Sequence, residues 1–263
     1  LITKIQQQYT LSPSSPVAQS LQRLLKLVSE RLYARDTHFL LELFANADDN
    51  KYAPAVRPQV HVQIRQHSAG HVLWLRNNEK GFSPEDVEAM CSVANSTKKS
   101  RGAAIGRMGI GWKSVFTVAN RVQVHSQGFH FAFDATSGQL GYIMPHWLPN
   151  VPPYVCPKST NFVLELKRDK TQLVEDVLPT VRPELLLFLR QLEVITISGS
   201  GDWHVRLEKV RCASQGTPLP GPGAVGAGAT LGADAPCPHL ARGAKRNAAG
   251  CHCNCFAAAS RPC

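Results

Sequence analysis

From Phe39 to Asp49 the chain reads Phe-Leu-Leu-Glu-Leu-Phe-Ala-Asn-Ala-Asp-Asp, apolar almost throughout except for Glu42, Asn46 and the closing acids. At about 100° per residue, Glu42, Asn46 and Asp49 at i, i+4 and i+7 fall on one narrow helical face. A solvated helix carries a broad polar side, so a thin polar stripe on an apolar helix more often lines a pocket. The alternative is a helix end whose Asn and Asp residues form only a terminal turn. In both cases the helix needs a layer to pack on.

The surrounding pattern supplies one. Leu21, Leu24, Leu25, Val28 and Leu32 recur at helical spacing and predict an amphipathic helix from about Val17 to Ala34, with Asp36 and Thr37 placed to cap the helix that follows. Alternation in Val60 to Ile64 and the apolar run Val72 to Leu75 predict two strands broken at Ser68-Ala69-Gly70. Ser83 and Asp86 are spaced as a capping box for a helix from about Ser83 to Val93. Further strands are expected at Arg121–Ser126, Phe129–Phe133, Phe162–Lys167, Val194–Ser198 and His204–Val210, with one helix from about Thr171 to Arg190. Helices, then a mostly antiparallel mixed sheet, then more helix make an α+β fold.

Between the predicted helix at Ser83–Val93 and the strand at Arg121, the polar and basic stretch from Asn95 to Arg107 lacks apolar period and is expected to be a mobile loop. It runs into Gly106-Arg-Met-Gly109-Ile-Gly111-Trp112-Lys113-Ser114, three glycines opening onto a predicted helix, Trp112 to Val118. Such a segment lets backbone N–H groups approach phosphates under the positive end of a helix. A P-loop would need the lysine directly after the last glycine, and Trp112 intervenes; the dinucleotide fingerprint has the opposite glycine order. A loop that uses its glycines only for flexibility is the alternative.

Composition limits the remaining choices. With 263 residues and 43% hydrophobic side chains the chain can bury a core. No apolar run approaches the roughly 20 residues of a membrane span, so no membrane helix is expected. Leu1 to Thr10 has no basic start followed by an apolar core, so no secretory signal is read there. The formal charge of +10 invites a weak nucleic-acid association, but part of it lies in the tail. Of 8 cysteines only Cys91 and Cys156 precede residue 210, which reads as an intracellular domain, nuclear or cytoplasmic, rather than a disulfide framework. After Cys212 the sequence turns to Gly, Ala and Pro without period and is expected to be disordered. Cys251-His-Cys-Asn-Cys255 is spaced more tightly than paired zinc ligands. The division is a lead-in at 1–16, a folded domain at 17–210 and a tail at 211–263.

Taken in order, these segments resemble the ATPases of the gyrase, heat-shock chaperone, histidine-kinase and MutL (GHKL) superfamily. Glu42-x-x-x-Asn46-x-x-Asp49 resembles their first motif, Asn77-Asn78-Glu79-Lys80-Gly81-Phe82 stands where they carry Asp-x-Gly-x-Gly, and Gly106 to Gly111 resembles their second glycine box. Ser159 to Leu164 looks like the strand whose threonine closes the adenine pocket. Asp36 to Glu42, Asn46 to Asn50, Ser96-Thr97-Lys98 and Gly109 to Phe116 are similar to the sacsin and NO VEIN branch in particular.

The resemblance implies a two-layer α/β sandwich of the Bergerat type that binds Mg-ATP. It implies that Glu42 is the general base that activates water, that Asn46 ligates Mg²⁺ through its carbonyl oxygen, and that Gly106, Gly109, Gly111 and Trp112 line the phosphates. Lys98 or Lys113 would neutralise charge, Thr160 and Asp49 would frame adenine, and Asn77, in register with Gly81, would replace the usual Asp as acceptor of the adenine amino group. The expected function is a slow chaperone-type ATPase whose lid, about 95–107, couples nucleotide to an unidentified protein partner or client. The alternatives are a nucleotide-gated interaction module without turnover and a nucleic-acid-associated protein. The oligomeric state is left open.

Overall fold

The computed structural model describes residues 1–8, 15–16, 19–20, 23–24, 37–67, 70–92, 111–137, 140–201, 203–211 and 254–258. Its helices are α1 (Ile2–Gln8), α2 (His38–Asp48), α3 (Pro84–Cys91), α4 (Thr171–Val177) and α5 (Leu185–Phe188), with a 3-10 helix at Gly111–Thr117. Its strands are β1 (Gln59–His67), β2 (Gly70–Asn77), β3 (Ala119–Ser126), β4 (Phe129–Asp134), β5 (His146–Trp147), β6 (Thr160–Leu166), β7 (Val194–Ser198), β8 (His204–Arg211) and β9 (Asn254–Ala258). They form one sheet in the order β5-β4-β3-β6-β2-β1-β7-β8-β9. Among the described strands only β1 and β7 pair in parallel. The fold is α+β with a mixed, mostly antiparallel sheet, as the sequence pattern predicts.

Period-two alternation sets which face is covered. Val60, Val62 and Ile64 of β1 point into the main core with Leu73 and Leu75 of β2, Val122 and Val124 of β3 and Leu164 of β6. On them lie Phe39, Leu40, Leu43 and Phe44 of α2, and Val87 and Cys91, one turn apart on α3. Val72–Leu75 of β2 is a continuous apolar run because the other face of the strand is covered too: Val72 and Trp74 join Val163 under Tyr154. The β3–β4 hairpin turns on Gln127 and Gly128, both with positive φ, the signature of a two-residue primed turn.

Asp48, at the last turn of α2, is fully buried and accepts hydrogen bonds from the backbone N–H groups of Arg190, Gln191 and Leu192 at 2.8, 2.7 and 2.7 Å. A carboxylate at the end of one helix thus fixes the approach to β7 and sets the position of the polar stripe against the sheet.

Several expectations need correction. The helix expected from Thr171 to Arg190 is broken into α4, a 3-10 turn at Leu178–Thr180 and the short α5. Pro179 and Pro183 supply the reason, since each lacks an N–H donor and pushes the preceding residue away from helical geometry. The segment Gly111–Thr117 is a 3-10 helix rather than an α-helix. Within the lead-in, for which no element was expected, α1 buries Ile2 and Ile5, and Gln6 Nε2 donates to Pro145 O at 2.9 Å. Two apolar residues are too few to register as a periodic pattern. β5 was likewise absent from the strands expected.

The capping box of α3 forms as read, with Ser83 accepting from the Asp86 N–H and Asp86 accepting from the Ser83 N–H. Thr37 makes no side-chain cap to α2. Of the helix expected at Val17–Ala34, Gln19, Ser20, Arg23 and Leu24 are described and are helical; its remainder, Asp36 and the 95–107 loop lie outside the described residues. In the tail, expected to be disordered, Asn254–Ala258 instead pair with β8, and residues 212–253 and 259–263 lie outside the described residues. No helix among the described residues is long and apolar enough to cross a membrane.

Candidate functional site

The polar stripe of α2 meets the glycine segment directly. Glu42 and Asn46 are half-buried on a helix otherwise packed into the core. Glu42 lies against Gly111, so closely that a Cβ built on Gly111 would collide with Glu42 Oε2. Gly111 is therefore required by the carboxylate that rests on its backbone, a more specific reason than flexibility. His38, one turn before Glu42, places Nε2 3.9 Å from Glu42 Oε1. A carboxylate and a side-chain amide one turn apart, beside a glycine backbone, can orient a water and offer oxygen to a hard cation. Trp112 Nε1 and Ser114 Oγ, just beyond Gly111, are buried without a hydrogen-bond partner among the described residues.

A second polar group lies where β2 and β3 end and β6 begins. Asn77 is almost fully buried, and its Oδ1 is 2.9 Å from Tyr52 Oη, which is also 2.8 Å from Ala47 O on α2. Burial pushes the Tyr52 phenol well above its ordinary range, so it holds its one proton. One O–H cannot donate to both oxygens. The contacts are consistent once the Asn77 amide is turned over, with Nδ2 donating to Tyr52 Oη while Tyr52 donates to Ala47 O. Oδ1 then takes the place of the amide atom that is otherwise buried without a partner, leaving an acceptor oxygen for a donor from outside. Tyr52 thus ties the end of α2 to Asn77 and joins the two polar groups.

Thr160, the first residue of β6, is fully buried. Its hydroxyl lies 2.6 Å from Ser126 Oγ and donates to Glu79, while the Phe82 N–H donates to Ser126 Oγ at 2.8 Å. Gly81 has φ +95, and a Cβ there would collide with the Gln127 side chain, whose amide donates to Lys80 O. That glycine serves the packing of the hairpin tip as well as the turn.

The expected site residues therefore divide. Glu42, Asn46 and Gly111 come together, and Asn77, Gly81 and Thr160 form the second group. Lys98, Gly106 and Gly109 lie outside the described residues. Lys113 and Asp49 are placed otherwise than expected. Lys113 is fully buried, 4.4 Å over the Trp112 ring, and donates to Met90 O at 2.9 Å at the end of α3. Burial lowers its pKa to about 7, so it is no exposed cation for a phosphate. Asp49 is ion-paired with Arg190 at 2.8 Å, a bond that holds α2 to the β7 approach. Trp112 packs on Phe133 with ring centroids 4.9 Å apart and is a core residue first. Tyr52 and Ser126 were missed, because an isolated Tyr or Ser in a strand or loop carries no spacing signal. Glu79 was noticed only as a departure from a glycine.

Residues 18–140 match the family model described as Sacsin domain. Protein NO VEIN of Arabidopsis thaliana is 39% identical over 195 residues, a match covering 66% of this chain and 7% of that protein. Chaperone protein HtpG of Methylobacterium sp. (strain 4-46) is 30% identical over 179 residues, covering 58% of this chain and 28% of that protein. HtpG of Mycobacterium bovis is 29% identical over 127 residues, covering 39% and 20%. The chain thus spans a small part of each relative's length.

Proposed function

Because this chain carries a sacsin domain related to NO VEIN and, more distantly, to HtpG, we propose that it binds Mg-ATP as a chaperone-type nucleotide domain and hydrolyses it slowly. The observation that carries the reading is the packing of Glu42 on Gly111, which joins the acid and the phosphate-binding glycine. On this reading the described elements take the two-layer arrangement of the GHKL fold, with the nucleotide between α2 and the ends of β2 and β6. Glu42 holds and deprotonates the attacking water, and Asn46 offers its carbonyl oxygen to Mg²⁺. The metal, when bound, neutralises phosphate charge. The Gly111 backbone approaches the phosphates, together with Gly106, Gly109 and Lys98. Asn77 Oδ1, freed by the Tyr52 bond, accepts from the base.

Among the described residues, buried polar atoms without a partner support the fit: one atom of the Asn77 amide, Trp112 Nε1 and Ser114 Oγ. Isothermal titration calorimetry with ATP, with and without Mg²⁺, tests binding, and steady-state hydrolysis by wild type and Glu42→Ala tests catalysis. Equal hydrolysis rates would remove Glu42 from the chemistry.

A nucleotide-gated module without turnover is the second reading. It is favoured by Lys113, whose ammonium is committed to Met90 O and supplies no charge to a phosphate. In that case the lid at 95–107 signals occupancy to a protein partner, and binding is seen without hydrolysis.

A further inference from the structure

The described helices all serve one side of the sheet. Ile2 of α1, Phe44 of α2, Val87 of α3, Val174 of α4 and Leu186 of α5 are buried in the same core. The strand residues that alternate with the core positions point to the opposite face, where no described helix buries a side chain. From β1 and β2 that face receives His61, Gln63, Arg65, Trp74 and Arg76, and β6 and β3 on one side and β7 and β8 on the other continue it. At about 4.8 Å per strand, these six strands make a track about 24 Å wide.

The middle of the track is a stack of cations on aromatic rings. Trp74 is fixed by its Nε1, which donates to Asn161 Oδ1 at 3.2 Å, and Tyr154 meets it edge-on with ring centroids 6.0 Å apart. The Arg65 guanidinium carbon lies 4.6 Å from the Trp74 ring centroid and 5.4 Å from that of Tyr154, and the Arg76 guanidinium carbon lies 5.6 Å from Trp74 on its other strand neighbour's side. A guanidinium over an indole keeps its outer planar face and most of its N–H donors turned away from the ring.

Charge on this face is unbalanced at that stack alone. Its acids from β3 to β8, Glu165 and Glu208, are taken by Arg121 and by Arg57 and Arg206. Arg65 donates only to Gln63 Oε1, at 2.7 Å, and among the described residues neither Arg65 nor Arg76 has a carboxylate partner. Lys158, exposed nearby, acts together with Arg76 on the Cys156 thiol and adds a third cation at the rim. Unpaired guanidinium planes on a flat polar track are complementary to a polymer that alternates anions with planar rings. An acidic peptide would answer the charge and leave the planes unused.

We propose that this outer face of the sheet binds a single-stranded nucleic acid, with Arg65 and Arg76 stacking on bases and donating to phosphates. The site lies across the sheet from α2 and does not depend on the nucleotide reading.

The test is fluorescence anisotropy of a labelled, mixed-sequence single strand of about 12 nucleotides, titrated with the full chain over a range of salt concentrations. Arg65→Gln/Arg76→Gln is expected to weaken binding at least about ten-fold and to lower the slope of log affinity against log salt by about 1.4, the share of two phosphate contacts. Arg168→Gln/Arg182→Gln removes the same charge from exposed positions outside the strands and is expected to change affinity by less than about two-fold. An equal loss in the two variants overturns the proposal, because net charge then accounts for binding. Polyglutamate at equal charge concentration is expected not to protect the site; if it occupies the arginine face and displaces the strand, the partner is an acidic peptide and the proposal fails. Saturating Mg-ATP is expected to leave the affinity unchanged, and competition would put the strand in the cleft beside α2 and overturn the assignment. Should the Arg65/Arg76 variant not fold, wild type decides: salt-dependent binding that resists polyglutamate and Mg-ATP supports the proposal, and no binding overturns it.

Discussion

A carboxylate resting on a backbone leaves no space for a side chain, and Gly111 under Glu42 is such a place. Gly111→Ala should push Glu42 out of position without disturbing the core beneath α2. The expected outcome is a loss of hydrolysis of about ten-fold or more with a smaller change in ATP affinity, in line with the sensitivity of catalysis to small displacements. Steady-state kinetics beside calorimetry would separate the two effects. Asp48 makes the contrasting case. Removing its charge with Asp48→Asn leaves three backbone N–H groups facing a side chain with one acceptor oxygen and a donor. Destabilisation of roughly 2–4 kcal/mol is expected, measured by urea unfolding. The sequence marked Glu42, Asn46 and Gly111 because helical spacing and glycine identity are local signals. It assigned Asp49 and Lys113 to a ligand and missed Asp48 and Glu79, because which way a buried charge turns depends on partners far away in the chain, such as Arg190, Met90 and Thr160.

Elements with strong local codes form where the sequence places them. α3 begins at its capping box, and Ser83→Ala should lower stability by about 1 kcal/mol through loss of that cap. Thermal unfolding would register it as a fall in Tm with nucleotide affinity unchanged, since Ser83 contacts no expected ligand group. β1 was legible from alternation, β2 from the apolar run Val72 to Leu75, and their separation from the break at Ser68-Ala69-Gly70. Val72 to Leu75 is unbroken by polar residues because Trp74 and Val72 are covered on the second face, a fact of tertiary packing. The stretch from Thr171 to Arg190 was read as one helix, but Pro179 and Pro183 physically interrupt it. α1 and β5 were illegible for the opposite reason: they are too short to carry a period, and each is held by the other's neighbourhood, as the Gln6 bond to Pro145 O illustrates.

At the scale of the whole molecule, the sheet gathers segments far apart in sequence. β1 meets β7 in parallel and β6 lies between β2 and β3, so burial inside it is a property of the complete fold. Lys113 reports on that burial. Its side chain is enclosed between α3 and the Trp112 ring, and desolvation brings its pKa to about 7 in the folded state. Unfolded, it titrates near its ordinary value of about 10.4. Between those values the unfolded chain holds the more protons, so stability rises with pH from about 7 upward. Cys91, close by on α3, acts in the opposite sense. Burial pushes its thiol up to about 12, so above its ordinary value of about 8.5 the folded chain holds the more protons and stability falls. The urea midpoint should therefore climb from pH 7 to about 8.5 and then level off as the two contributions oppose each other. Lys113→Met, of similar length and without the charge, should abolish the climb and leave only the decline at higher pH. A climb of equal size in the variant would mean that other groups produce it and that Lys113 stays charged in the fold, held by Met90 O and the indole ring.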